Sequence, residues 1–437
     1  MAEKPSEDAM KMHPFYRGKI ETGIKCPIRD FEDFAIWYTP GVAKPCIDIF
    51  DNPDRVYSHT NKGNSVAVIT DGSRVLGLGD IGPEASLPVM EGKALLYKYL
   101  GGVDAWPIAL DTKDPDEFVK TVLLLQPAFG GINLEDIAQP KCFKILEELR
   151  VKARIPVWHD DQQGTATVTV AALINAVKVV NKSLENIRVA FIGAGAANVR
   201  IAHLSFKAGV DPAKTIMCDI DGTLGTFRDD IERDPWCADK WRLCNITNPR
   251  SILGGIPEAM TGADVVIALA KSGPGVILPE WIASMADSPI VFACANPVPE
   301  IFPWDAIEAG ARIVATGRSD FVNQVNNSLG FPGIFRGTLD VRARTITDEM
   351  CIEAAMALAK VAEGKGLSED YIIPKMDDPD VFPEVATAVG LKAIEQNIAG
   401  IKLSRAELID KAKAVISNSR EKVHLLMEKG LIAPFDI

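Results

Sequence analysis

The chain has 437 residues, 47% of them hydrophobic and 24% charged, with a net charge of −12. That length exceeds one core and points to two or three domains. The acidic balance argues against a nucleic-acid partner, because phosphate binding needs a basic surface, though a local pocket can still hold a small anion.

In chain order, β-rich runs alternate with helical stretches, the pattern of an α/β protein with largely parallel sheets. In the first part, residues 65–70, 105–110 and 155–159 read as strands, and helices fall near 90–100, 116–125 and 140–150. Residues 165–180 form a predicted long helix leading into a second block. That block opens with a strand at 187–192, and further strands are predicted at 214–218, 264–270, 290–294 and 312–315. With helices between them, they have the periodicity of a doubly wound, Rossmann-like dinucleotide-binding sheet. A charged amphipathic helix from 404 to 430 closes the chain as a packing or subunit-contact element. The expected division is an α/β domain over 1–163, the dinucleotide-binding domain over 164–395 and a helical extension over 396–437.

The N-terminal MAEKPSEDAM is polar and has no signal-peptide core. The most apolar run, 164–180, contains Thr165, Thr167, Thr169, Asn175 and Lys178, so it reads as a buried helix and not a membrane span. Eight cysteines are scattered with no CxxC pair, which weakens zinc and redox-motif readings. Cys218 and Cys294, at the ends of apolar runs, read as buried thiols. A reducing, cytoplasmic setting fits this usage.

The run IRVAFIGAGAANVRIAHL at 187–204 is strand, glycine turn and helix. Gly193 permits the tight turn. Gly195 lets the backbone approach a pyrophosphate seated on the helix that starts near Ala196 and Ala197. Asn198 occupies the third glycine position, so the fingerprint is incomplete. Asp219, at the end of the second strand, can accept hydrogen bonds from ribose hydroxyls and repel a 2′-phosphate. Asp219 and Asp221 lean towards NAD, and the nearby Arg228 leaves NADP open. The same segment, Asp219 to Thr223, imitates the nucleophile motif of haloacid-dehalogenase-type phosphatases, with Asp264 posing as a later carboxylate. Its position argues against that reading, since a strand, a glycine turn and a helix already precede it.

Four further acids stand out: Glu135 and Asp136 in GGINLEDIA, and Asp160 and Asp161 in IPVWHDDQQGT. Carboxylates at strand C-termini point into the crevice of an α/β sheet. Gathered anions repel unless neutralised, and Mg²⁺ or Mn²⁺ is the simple neutraliser. His159 reads as a packing neighbour.

Several segments together resemble the malic enzyme family, in its shorter microbial form without a phosphotransacetylase-like extension. They are YTPGVA at 38–43, TDGSRVLGLGDIG at 70–82, PVMEGKA at 88–94, GGINLEDIA at 130–138, HDDQQGT at 159–165, GAGAA at 193–197, ANPVPEI at 295–301 and ATGRSDFVNQVNNSLGFPGIFRG at 315–337. They run in the family's order. The resemblance implies an N-terminal malic-type domain, a Rossmann-like NAD(P)-binding domain, and oxidative decarboxylation of (S)-malate to pyruvate and CO2, with oxaloacetate decarboxylation as a further activity. By the same resemblance, Tyr38 is the general acid, Lys93 the general base, and Asp160 the carboxylate that tunes the lysine. Glu135, Asp136 and Asp161 are metal ligands, and Arg74 binds a substrate carboxylate. Asn296 and Asn327 hold substrate and nicotinamide, with Asn326 a weaker candidate. A homodimer is expected, with no nucleic-acid or membrane partner. The competing readings are a related oxidative decarboxylase of another 2-hydroxy diacid, and a non-catalytic metabolite sensor.

Overall fold

The computed structural model describes residues 3–435. Its first sheet has four parallel strands in the order β2-β1-β3-β4, where β1 is Ser65–Thr70, β2 Asp104–Ala109, β3 Gly131–Leu134 and β4 Val157–His159. β1, β3 and β4 are buried along their whole length, so they read as apolar runs without alternation. β3 is the strand that patterning does not separate: it is four residues long, opens on glycine and carries Asn133 in its middle. The helices Pro83–Gly101, Pro115–Leu125 and Lys141–Lys152 make the crossovers that parallel strands require. The first begins at Pro83, earlier than the expected residue 90, with proline in its first turn, where a missing N–H costs little. Because the strands run the same way, Asp71, Glu135 and Asp160 all leave the sheet on one side.

The second sheet has the order β10-β9-β8-β5-β6-β7: β5 is Val189–Ile192, β6 Thr215–Asp219, β7 Gly222–Thr223, β8 Val265–Ala268, β9 Ile290–Ala293 and β10 Ile313–Thr316. All pairings are parallel except the short β7, which folds back on β6 as a tight hairpin. Strand order reverses on either side of β5, so a crevice opens beyond the C-terminal ends of β5 and β8. The topology also removes the phosphatase-like reading. Asp219 ends β6, whereas Asp264 precedes β8 at the opposite edge, pairing with Lys182 at 2.7 Å. The two acids cannot serve one site.

Beyond β10 the chain returns to the first sheet. The helix Phe331–Asp340 is buried throughout. Its Phe331 and Phe335 rings lie 4.6 and 5.4 Å, centroid to centroid, from Tyr97 on the Pro83–Gly101 helix. The C-terminal helix Arg405–Glu428 starts with a reciprocal cap between Ser404 and Glu407. It too packs on the first block, where Ser419 Oγ donates to the Lys98 carbonyl at 2.7 Å. Cys218 and Cys294 are buried. Among the described residues, no helix is long and apolar enough to cross a membrane.

His203, on the helix Ala196–Lys207, supplies a pH dependence. Burial, then the charges of Arg200 and Arg242, pulls its imidazole down from 6.5 to about 4. Between those values the unfolded chain binds a proton that the folded chain refuses. The contribution to stability is therefore full above about 6.5 and falls as pH drops towards 4. Urea midpoints followed from about pH 7 to pH 4 are expected to fall less in His203→Gln than in the native protein; parallel curves would remove His203 from the account.

Candidate active site

Neighbouring parallel strands deliver four acids to one edge: Glu135 and Asp136 follow β3, and Asp160 and Asp161 follow β4. Glu135, Asp136 and Asp161 present oxygens that all lie within 4.8 Å of one another. Asp136 sits at φ 54°, a left-handed backbone rarely adopted outside glycine, and its amide donates to the Asp161 carboxylate at 2.9 Å. Burial, reinforced by Asp161, pushes the Asp136 carboxyl up to about 7. Glu135 rises well above the ordinary carboxyl range, by burial first; Lys93 opposes this, and Asp161, Asp160 and Asp136 reinforce it. Asp136 Oδ2 is buried without a hydrogen-bond partner. Such a group is costly unless it is protonated or met by a cation, and an all-oxygen set suits a hard divalent ion.

Lys93 is buried among these acids, not solvated as most lysines are. Its Nζ pairs with Asp160, stands 2.9 Å from Glu135 Oε1 and lies 4.3 Å from the centroid of the Phe331 ring. Burial acts to lower its pKa, but the charges of Asp160 and Glu135 outweigh burial and hold the proton on. Other side chains fix those acids. Trp158 Nε1 donates to Asp160 Oδ1 at 3.0 Å, and Asn133 Nδ2 donates to Glu135 Oε2 at 2.8 Å. Tyr97 OH donates to Asn133 Oδ1 at 2.8 Å. Sequence patterning gives no sign of Trp158, Tyr97 or Phe331 in this role, because their part depends on packing. Asn133, a polar residue inside a buried strand, is the one that leaves a trace. His159 is buried, held neutral by burial, with Nδ1 3.5 Å from Asp161 Oδ2.

Other residues singled out in the sequence meet here to different degrees. Arg74 is exposed on the loop after β1; its amide donates to the Asp136 carbonyl at 3.0 Å, and its charge lowers the Asp136 pKa. Asn327 lies against Gly164, where an added Cβ would come 3.3 Å from Asn327 Cβ and run into the Asp160 carboxylate. Asn326 is occupied in capping, accepting from Ser328 N at 3.0 Å. Asn296 follows β9, and a Cβ on Gly77 would stand 2.7 Å from its carbonyl, so loops from the two sheets touch. Tyr38 stands apart. It is 71% exposed, and its hydroxyl makes no hydrogen bond among the described residues.

The glycine turn faces the crevice. Gly193 has φ 93°, and a Cβ there would lie 2.6 Å from the Leu269 carbonyl, so the turn needs glycine. A Cβ on Gly195 would meet nothing within 4 Å, which leaves its backbone open to an approaching group. The helix starts at Ala196, with Ala197 in its first turn. Asn198 is buried, and its Nδ2 donates to the carbonyls of Ile192 and Gly193 at 2.8 and 2.9 Å. It therefore braces the turn where the fingerprint would have a third glycine. Arg228 donates twice to Asp219, at 2.8 and 3.2 Å, and also grips Asp230.

Comparison with known proteins bears on this arrangement over nearly the whole chain. Residues 17–150 match the family model for the malic enzyme N-terminal domain, and residues 162–397 match that for the malic enzyme NAD-binding domain. The bifunctional malic/malolactic enzyme of Bacillus subtilis is 49% identical over 93% of this chain and 97% of its own. The NAD-dependent malic enzyme of Geobacillus stearothermophilus is 48% identical over 87% and 78%. The NADP-dependent malic enzyme of Halomonas elongata is 41% identical over 87% and 92%. The crystal structure of Entamoeba histolytica malic enzyme superposes with a TM-score of 0.96 at 50% identity, covering 99% of this chain and 90% of that one. With both domain models matched in order around one buried lysine and its acids, the chain belongs to the malic enzyme family.

Proposed function

We propose that this protein oxidatively decarboxylates (S)-malate to pyruvate and CO2 with reduction of a nicotinamide dinucleotide, and also decarboxylates oxaloacetate. The observation that carries the reading is the convergence of three carboxylates within 4.8 Å beside a buried lysine. Glu135, Asp136 and Asp161 would hold Mg²⁺ or Mn²⁺, a choice supported by the orphaned Asp136 oxygen. When bound, the ion supplies Lewis-acid polarisation of substrate oxygens and the nicotinamide supplies the hydride acceptor.

The protein's own groups do the rest. Lys93 takes the proton of the C2 hydroxyl, which requires a neutral amine; burial favours that state and Asp160 and Glu135 oppose it, so the charge on these two acids sets the balance. Arg74 meets a malate carboxylate, and Asn296 and Asn327 orient substrate and nicotinamide. Once C4 has left as CO2, C3 needs a proton, and Tyr38 is the acid. General acid help of this kind is worth about 10²–10⁴-fold. Gly193, Gly195, Ala196 and Ala197 offer the turn and helix start for the pyrophosphate. Asp219 faces the ribose. Because Asp219 and Asp230 already engage Arg228, that guanidinium is not free for a 2′-phosphate, which supports NAD over NADP.

A second copy of the chain is the natural cover for the N-terminal arm. Phe31 and Phe50 are 89% and 86% exposed, and Phe34, Trp37 and Ile47 are also exposed. Patches of this kind mark interfaces. Tyr38 lies on the same arm, so covering the arm and completing the acid's surroundings go together. Eight unpaired thiols support a reducing, cytoplasmic setting.

Absorbance at 340 nm, followed with malate and Mn²⁺ and with NAD or NADP in parallel, is expected to rise with pyruvate formation, faster with NAD, and to stop with chelator. Tartrate or isocitrate turning over faster than malate would favour the related diacid decarboxylase, and no turnover at all would favour the sensor. Tyr38→Phe is expected to lower kcat by about 10²–10⁴-fold while the KM for malate hardly moves; unchanged kcat would take Tyr38 out of the chemistry. Sedimentation should give twice the 47.3 kDa chain mass, and a Phe31→Ser, Phe50→Ser double variant should shift towards monomer. A native protein that sediments as a monomer at assay concentration would end the dimer reading.

A further inference from the structure

At the edge of the first sheet opposite the acids lies a second, unassigned feature. Gly63, Gly130 and Pro156, which precede β1, β3 and β4, border a cavity of about 60 Å³ together with Tyr57, Thr338 and three arginines, Arg154, Arg342 and Arg344. A buried water needs roughly 10–15 Å³, so the space suits a few waters or one compact oxyanion. Among the described residues, none of the three guanidinium groups donates to a protein acceptor or pairs with a carboxylate. In a chain of net charge −12 that is a local concentration of uncompensated positive charge.

Arg342 is held by a contact that leaves its donors free, while Arg154 and Arg344 reach the cavity from exposed positions. The Arg342 guanidinium lies 4.8 Å from the centroid of the Tyr57 ring, a stacking contact that fixes its plane without using its N–H groups. Its backbone sits at φ 51°, in the left-handed region that non-glycine residues seldom adopt. Neighbouring groups register the positive field. Lys62, buried with its ammonium donating to the carbonyls of Gln126, Pro127 and Phe129, is pulled down to about 8 by burial and then by Arg154. The Tyr57 phenol is pushed up by burial, against the charges of Arg342 and Arg154, and Asp54, exposed at the surface, is the acid that registers on it.

We propose that this cavity binds a phosphate group, free or carried by a small metabolite. Guanidinium forks match phosphate oxygens in pairs, and three of them around so small a space suit a compact tetrahedral dianion. The site is separate from the acid cluster, because parallel strands put their N-terminal ends at one edge and the acids at the other.

The test is calorimetric titration of inorganic phosphate into the enzyme with Mg²⁺ and NAD saturating, at constant ionic strength held with chloride. The native protein is expected to bind one phosphate per chain, saturably. Arg154→Gln with Arg344→Gln should weaken that binding at least about tenfold while leaving malate turnover and the urea midpoint unchanged. Arg342 is retained in this variant to keep the Tyr57 packing. Arg74→Gln should leave phosphate affinity unaltered, which separates this site from the malate site. Tighter binding of glycerol phosphate than of inorganic phosphate would assign the site to a phosphorylated metabolite, and equal or weaker binding to free phosphate. Absence of saturable binding in the native protein, or equal affinity in the double variant, would overturn the proposal.

Discussion

The site depends on a charge balance between one buried ammonium and the carboxylates around it. Lys93 pairs with Asp160 and stands 2.9 Å from Glu135, while Asp136 and Asp161 complete an acid group with more negative than positive charge. In water such groups would separate and hydrate. Here they stay because the strands that carry them are buried, and removing either partner of a buried pair leaves an uncompensated charge costing about 3–5 kcal/mol. The same imbalance leaves an oxygen of Asp136 unsatisfied and raises the acids' affinity for protons. A dication at this place would relieve stress already built into the fold.

The rest of the first block keeps that balance in register. Tyr97, Asn133 and Trp158 aim Glu135 and Asp160 through single hydrogen bonds. Phe331 and Phe335, from a helix more than two hundred residues further along the chain, pack against Tyr97 and close the space around the ammonium. Asn327, just before that helix, is carried to Gly164 and Asp160 by the same packing. Touching loops at Gly77 and Asn296 then join the acid edge of the first sheet to the crevice of the second.

On the dinucleotide side, one substitution in the fingerprint has a local explanation. The third glycine usually gives close packing between helix and strand. Asn198 fills that place and bonds to the carbonyls of Ile192 and Gly193, so the turn is held by hydrogen bonds where it would otherwise be held by close approach. Arg228 illustrates the reverse. Its sequence position leaves it ambiguous between ion pair and phosphate ligand, and its pairing with Asp219, Asp221 and Asp230 arises only when the β6–β7 hairpin and the following turn are folded.

Local runs of residues are enough for the two sheets in outline, the glycine turn, the C-terminal helix and the place of the acids at strand ends. These follow from local rules: an apolar run sets a strand, glycine sets a turn, and a carboxylate just past a strand lands at the crevice. Such rules do not reveal β3, too short and polar to read, or the fate of Lys93, which patterning alone assigns to solvent. Tertiary structure decided that the lysine is buried, that Phe331 lies beneath it and that Tyr38 remains exposed on an apolar arm. The reason is distance along the chain. Lys93 and Asp160 are 67 residues apart, and burial and charge pairing at that separation depend on strand order, which no local run of residues specifies.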